Sequence, residues 1–272
     1  MRINFIKISL ILFTIPIVTK NSTSSFSSFF KKHKEEVVHQ EFNDLKKLEI
    51  TNLYGDISVE TWKQQCVMIE LHKKGSADFF KNSKLKHILK NHTLIAHTEI
   101  QEKQSGRIHI RILIPENFPL KINSESGLIS IKGTTGALDI TTDSGNIFIN
   151  QGNNTVIAQT SKGNITVQRK TIKKGHCLNL SSINGNITLM IPQDLEAYLE
   201  AHNKYNKICS ELFITLQSKT VQLNEETFKD MKHHIHGWIG QPSEEEDPAS
   251  ILLNSDFGVI NINAYSSKLL KK

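Results

Sequence analysis

Cysteine, proline and tryptophan are all scarce in this chain: three Cys, six Pro and two Trp in 272 residues. Cys66, Cys177 and Cys209 lie far apart, with no C-x-x-C step and no Cys/His ligand spacing. That argues against a structural zinc site or a redox motif and leaves small, buried apolar residues as their expected role. At most one disulfide can form, and the spacing selects no partners for it. Chemical signatures are missing as well. There is no G-x-S-x-G elbow, no phosphate-binding loop, no G-x-G-x-x-G turn and no H-E-x-x-H pair. The G-G-x-G-x-D calcium nonapeptide is also absent, so calcium is not implied. No apolar run reaches the roughly twenty residues a membrane helix needs. The longest, Ile8 to Val18, follows Arg2 and Lys7 and has the length of the apolar region of an export signal. No A-x-A site follows it, and no cysteine that could carry a lipid. Residues 1–20 are therefore expected to be a signal peptide or an N-terminal hydrophobic segment. Membrane contact is expected only through that segment, if it is not cleaved.

What is present is ordinary in bulk and distinctive in pattern. Hydrophobic residues are 38% and charged residues 22%, enough for one large domain with a real core. The formal net charge of +6 permits weak attraction to anionic polymers. No dense basic stripe with interleaved aromatics accompanies it, so nucleic acid is not an expected partner.

The pattern is a repeat, Gly-x-Ile-x-Φ, with Φ apolar. Six copies begin at Gly55, Gly127, Gly145, Gly163, Gly185 and Gly258, as in Gly163-Asn164-Ile165-Thr166-Val167. The central steps run Gly127 to Gly145 to Gly163, eighteen residues each. The outer steps, Gly55 to Gly127 and Gly185 to Gly258, are near four times that, which is either coincidence or a sign of degenerate coils. Glycine tolerates positive φ and suits a tight turn, and small polar neighbours such as Asp143-Ser144 and Asn146 are turn chemistry. After each turn the period is two, so one face is buried and the other solvated. A second alternating run precedes each turn, as in Leu138-Asp139-Ile140-Thr141-Thr142. Strand, turn, strand and loop make a unit that buries its apolar face only against stacked neighbours. The fold class this implies is all-β: a right-handed β-solenoid with coils of about 18 residues, the alternative being a β-sandwich. The repeat reads as clear from Leu120 to Leu189, with isolated outlying copies at Gly55 and Gly258.

The flanks are less regular. Leu48–Asn52, Val67–Leu71, His92–His97 and Arg107–Ile114 read as strands. Ala77 to Leu89 reads as a short helix or a helix running into a strand, with Phe79, Phe80, Leu85, Ile88 and Leu89 as core contacts. Residues 21–44, Ser-rich and then charged, read as a linker, 45–264 as the solenoid, and 265–272 as a basic tail. The chemical candidates are few. His233, His234 and His236, followed by Glu244, Glu245, Glu246 and Asp247, are the only metal candidates, and their spacing matches no known ligand set. A polar loop is the plainer reading of them. The acids Asp56, Glu60, Glu125, Asp139 and Asp143 are scattered, with Asp56 and Asp143 at turns, which disfavours paired-carboxylate chemistry. No catalytic, cofactor-binding or metal residues are expected.

The order of these motifs resembles the bacterial adhesin-like domains of the DUF4097 type. The resemblance rests on the copies at Gly127, Gly145, Gly163 and Gly185, on Gly185-Asn186-Ile187-Thr188-Leu189-Met190-Ile191-Pro192, and on His236-Gly237-Trp238-Ile239-Gly240 with Ile251 to Gly258 after an acidic spacer. It spans about residues 45 to 264. It implies an exported, envelope-attached β-repeat domain and carries no family catalytic residue. The function expected is a non-catalytic adhesin-like binding or scaffold module in the periplasm, on the envelope or outside the cell, with no cofactor. Its partner would be an unknown protein or envelope polymer, met by outward polar ladders such as Ser130, Thr141, Thr166 and Thr188. The alternatives are a structural protein that self-associates through its solenoid ends and, less favoured, an enzyme acting on envelope polysaccharide.

Overall fold

The computed structural model describes residues 34–100, 106–150, 154–216, 233–242 and 247–264. In chain order its elements are β1 (Lys34–Phe42), β2 (Lys47–Tyr54), β3 (Ile57–Thr61), β4 (Val67–Gly75), α1 (Ala77–Asn82), β5 (Lys84–Lys90), β6 (Thr93–Glu99) and β7 (Gly106–Ile114). The repeat region supplies β8 (Leu120–Ser126), β9 (Ile129–Lys132), β10 (Leu138–Ser144), β11 (Ile147–Asn150), β12 (Val156–Lys162), β13 (Ile165–Gln168), β14 (Cys177–Asn184) and β15 (Ile187–Ile191). The last six are β16 (Ala197–Asn203), β17 (Ile208–Ser210), β18 (Ile214–Leu216), β19 (His234–Ile239), β20 (Ser250–Ser255) and β21 (Ile260–Ala264).

Two sheets face each other. One runs β1-β4-β7-β3-β9-β11-β13-β15-β21-β17 and the other β18-β19-β16-β20-β14-β12-β10-β8-β2-β6-β5. A strand of the second sheet, a turn and a strand of the first make one rung. The rungs stack in parallel register in the order β6/β7, β2/β3, β8/β9, β10/β11, β12/β13, β14/β15, β20/β21, β16/β17. The alternating Ile, Leu and Val of every rung point between the sheets and form one continuous core. This is the β-solenoid architecture expected from the repeat.

Stacking order corrects one expectation. Gly55 and Gly258 do not begin isolated copies, and the long outer steps do not hide four degenerate coils. Rung β2/β3 is threaded between β6/β7 and β8/β9, and rung β20/β21 between β14/β15 and β16/β17. Each long step is an excursion that lays down one further rung plus antiparallel strands and then returns to stack on the rung it left. The six repeat glycines thus form a single spine. A Cβ on Gly127 would sit 2.3 Å from the carbonyl oxygen of Gly55, on Gly145 2.1 Å from that of Gly127, and on Gly258 1.8 Å from that of Gly185. Only some of these glycines use a left-handed φ, as Gly55 and Gly127 do at 127°. Close approach of successive turns is the requirement common to all six. Rung β16/β17 is last in the stack and turns through Asn203–Lys207 without glycine.

Two ladders of side chains stitch the spine. Asp56 accepts from Leu128 N, Asn146 from Asn164 N, Asn164 from Asn186 N and Asn186 from Val259 N, each at 2.8 Å. Inside the turn runs a buried polar column, in register across the rungs: Thr98, Asn52, Ser124, Thr142, Thr160, Ser182, Ser255, Asn203. Thr160, Ser182 and Ser255 donate to the glycine carbonyl of the preceding rung, and Asn203 Nδ2 donates to Gly258 O at 2.7 Å. These bonds satisfy buried groups whose isolation would cost about 1–3 kcal/mol each. One seam is incomplete: Leu128 has no side-chain acceptor to offer Asn146, and Thr142 Oγ1 has no partner.

The ends depart from expectation. Lys34–Phe42, read as linker, is strand β1, paired along its whole length with β4 and joined to it by ion pairs such as Lys74–Glu35 and Lys73–Glu36. Ala77–Leu89 is a short helix running into a strand. Phe79 and Leu85 are buried, but Ile88 and Leu89 are 62% and 65% exposed, because β5 is the last strand of its sheet and no described element packs on its outer half. Residues 1–33 and 265–272 lie outside the described set.

Candidate functional site

One outward register column of the second sheet is polar over most of its length. From β2 to β20 the register column reads Thr51, Asn123, Thr141, Gln159, Ser181, Asn254, a solvated polar ladder. On the last two full strands it changes. Asn254 pairs with His202 on β16, and His202 with His234 on β19. One step along the strands, Glu200 pairs with His236, and one further, Tyr198 with Trp238.

Period two explains the arrangement. His234-x-His236-x-Trp238 and Tyr198-x-Glu200-x-His202 each project to one face, and antiparallel pairing of β16 with β19 merges the two triplets. Ring centroids lie 5.6 Å apart for His202–His234, 6.3 Å for His234–His236, 5.2 Å for Tyr198–His236 and 5.5 Å for Tyr198–Trp238. The Tyr198 hydroxyl is hydrogen-bonded to His236 Nε2, and His234 Nε2 is 3.8 Å from Glu200. The result is a continuous strip of rings, exposed at the histidines and buried at Trp238. At the Trp238 end it opens into a cavity of about 340 Å³ between the loops 170–174, 192–196 and 248–249. Trp238, Pro192 and Leu195 line its apolar part. Lys170, Lys174, Asp194 and Glu196 supply charges of both signs.

The residues expected from the sequence fall as follows. All six glycines lie in the spine, on the edge where the two sheets are joined. Ser130, Thr166 and Thr188 stand on the outer face of the first sheet and Thr141 on that of the second, as outward positions. His234 and His236 share one face of a strand, which corrects the polar-loop reading, while His233 precedes β19. Glu244, Glu245 and Glu246 lie outside the described residues, and the Asp247 carboxylate is turned toward Gly175. Among the described residues no group of three or more His, Cys, Asp or Glu side chains is placed to hold a metal ion. Tyr198, Glu200, His202 and Trp238 were missed. Their period-two spacing was the available signal, but the pairing of segments 36 residues apart was not.

One buried cation stands apart from the strip. Arg169 is fully buried, donates from Nη2 to Asn154 O at 2.6 Å, and has no hydrogen-bond partner at Nε or Nη1 among the described residues. Burial pushes its pKa down to about 10. The three cysteines carry free thiols, with Cys66 buried and its pKa raised by burial.

No curated protein matches the chain. Among solved structures it is similar to a candidate cell adhesion protein from Clostridium sporogenes, at 12% identity and TM-score 0.48, over 86% of this chain and all of the other. A candidate adhesin from Bacteroides fragilis is similar at 14% identity and TM-score 0.42, over 85% and 97%. A candidate lipid-binding protein from Parabacteroides distasonis is similar at 14% identity and TM-score 0.29, over 85% and 97%. No described helix is long and apolar enough to cross a membrane. The family described as Toastrack DUF4097 matches residues 13–236, most of the chain and nearly the whole rung stack, and the chain belongs to that family.

Proposed function

We propose that this chain is a non-catalytic, exported module of the cell envelope. In this reading the solenoid is a rigid scaffold, and the ring strip on β16 and β19 is its contact face for an envelope polymer or protein. The observation that carries it is a clustering of rings: beside the polar column that ends at Asn254, β16 and β19 bring Tyr198, His202, His234, His236 and Trp238 together at one end of one face. Aromatic side chains at a surface supply large contact area at low entropic cost. Export rests on the sequence of the first twenty residues, and cell fractionation tests it separately. The contact face is tested by adsorption of the purified full chain to isolated envelopes. Binding that falls at least about fivefold in Tyr198→Ala/His236→Ala, but not in Lys121→Ala/Asp139→Ala on the same sheet, supports the reading. Equal binding by both variants refutes it.

A second reading, end-to-end assembly, is favoured by Phe213, 82% exposed beside β18 at the sheet's end. Sedimentation across a hundredfold concentration range, on the order of that needed to shift a weak dimer, decides it. A strict monomer throughout removes it.

A further inference from the structure

We propose that the ring strip and the Trp238 cavity together form a saccharide site that takes a neutral glycan chain, with one sugar seated in the cavity and the next along the strip. This rests on the binding-module reading above and names its ligand class. The argument turns on what each kind of ligand needs. A pyranose has an apolar C–H face and a rim of hydroxyls, each of which both donates and accepts. It is matched by an aromatic face with donors and acceptors around it. The cavity has that combination: Trp238 and Pro192 in its wall, Lys170 and Lys174 as donors, Asp194 and Glu196 as acceptors. An anion would be served by donors alone and a cation by acceptors alone, so a rim of mixed sign favours a ligand without net charge.

The cavity volume, about 340 Å³, is at the small end for ligand sites, which suits a single sugar ring better than a larger compact ligand. The site does not end there. Rings at 5.2–6.3 Å centroid spacing continue from Trp238 through Tyr198 and His236 to His234, which calls for an extended ligand. An extended peptide is the competing occupant. Peptides dock on sheets mainly by adding a strand to a free edge. Strand β19 is paired with β16 along its length and with β18 over Gly237–Ile239, so at the Trp238 end, where the cavity lies, the strip presents side chains and no free strand edge among the described residues.

The experiment is a titration of the full chain with chitotetraose, cellotetraose and maltotetraose, and with inorganic phosphate and choline as charged probes. Binding is read by isothermal titration calorimetry, so that Trp238→Ala is measured in the same way as the parent. The expected result is binding of at least one tetraose, weakened about tenfold or more in Trp238→Ala. The exposed variant His236→Ala weakens the tetraose while leaving its monosaccharide nearly unchanged, and circular dichroism confirms that both variants fold. The proposal is overturned if no tetraose binds at about 10 mM, which is weaker than any useful site. It is equally overturned if only phosphate or choline binds, or if a tetraose binds both variants as it binds the parent. Should sugars fail while envelope adsorption still depends on Tyr198 and His236, the saccharide assignment falls and the binding-module reading stands with a protein as its partner.

Discussion

Replacing Gly145 by alanine separates two explanations of the spine. If glycine were there only for turn conformation, alanine would be harmless, since Gly145 has no left-handed φ. A Gly→Ala change at an unstrained position stabilises a protein by about 0.4–1 kcal/mol through the unfolded chain. The stacked turns predict the opposite sign. The new Cβ would lie 2.1 Å from Gly127 O and 3.0 Å from Thr142 Oγ1. An ordinary contact at that carbonyl needs rungs β8/β9 and β10/β11 to part by about 1 Å at the turn. The bond from Ile129 N to Asn146 O, 2.9 Å, and that from Gly127 N to Ser144 O, 3.4 Å, would then be stretched past hydrogen-bond range. Overpacking costs about 1–3 kcal/mol and stranding the N–H of buried Ile129 about 1–3 kcal/mol, so the expected loss is about 2–5 kcal/mol. Urea unfolding followed by far-ultraviolet circular dichroism measures it as a lowered midpoint at unchanged slope. A loss under about 1 kcal/mol, or a gain, would refute close approach as the reason for the glycine.

Three further outcomes follow from the same structure. Leu128, 44% exposed, leaves a gap in the Asx ladder between Asp56 and Asn146, so Leu128→Asn is expected to stabilise by about 0.5–1 kcal/mol in urea unfolding by offering Asn146 N an acceptor. Arg169→Met is expected to stabilise by about 2 kcal/mol at neutral pH. A pKa pushed by burial down to about 10, well below the ordinary guanidinium value, represents about 3 kcal/mol of buried-charge cost, less the bond to Asn154 O. Because the folded pKa is the lower one, the parent gains stability as pH rises through about 10 toward the ordinary guanidinium value. The gap between parent and variant should therefore narrow from about pH 9 to pH 11, and a constant gap would contradict the buried charge. In alkylation timed by mass spectrometry at pH 8, Cys66 should react last of the three thiols, since burial raises its pKa and shields it.

The repeat was readable because the Gly-x-Ile-x-Φ step sets turn and face within five residues, and the core isoleucines at 57, 129, 147, 165, 187 and 260 are all buried as that alternation requires. What it could not convey was which rungs are neighbours. Gly55 and Gly127 are 72 residues apart and in contact, and nothing local distinguishes an excursion that returns from a run of worn coils. The same limit hid the ring strip. His234, His236 and Trp238 announce a face only once the segment is known to be a strand, and Tyr198, Glu200 and His202 join it through pairing. Ile88 and Leu89 were misplaced for a related reason: alternation marks a strand's two faces but not whether a further layer or rung exists to cover them. In the linker reading of Lys34–Phe42, its charges stood for solvent, whereas Glu35 and Glu36 pair with Lys74 and Lys73 on β4.

The location of the contact face is open to one direct measurement, hydroxyl-radical footprinting of the full chain free and adsorbed on isolated envelopes. The strip on β16 and β19 predicts protection at Tyr198, His234 and His236, with Phe148 and Met190 on the outer face of the other sheet, and the stacked Tyr205 and Phe257 on the turn edge, left as reactive as in the free protein. Protection confined to Phe148 and Met190, or to Tyr205 and Phe257, would contradict it.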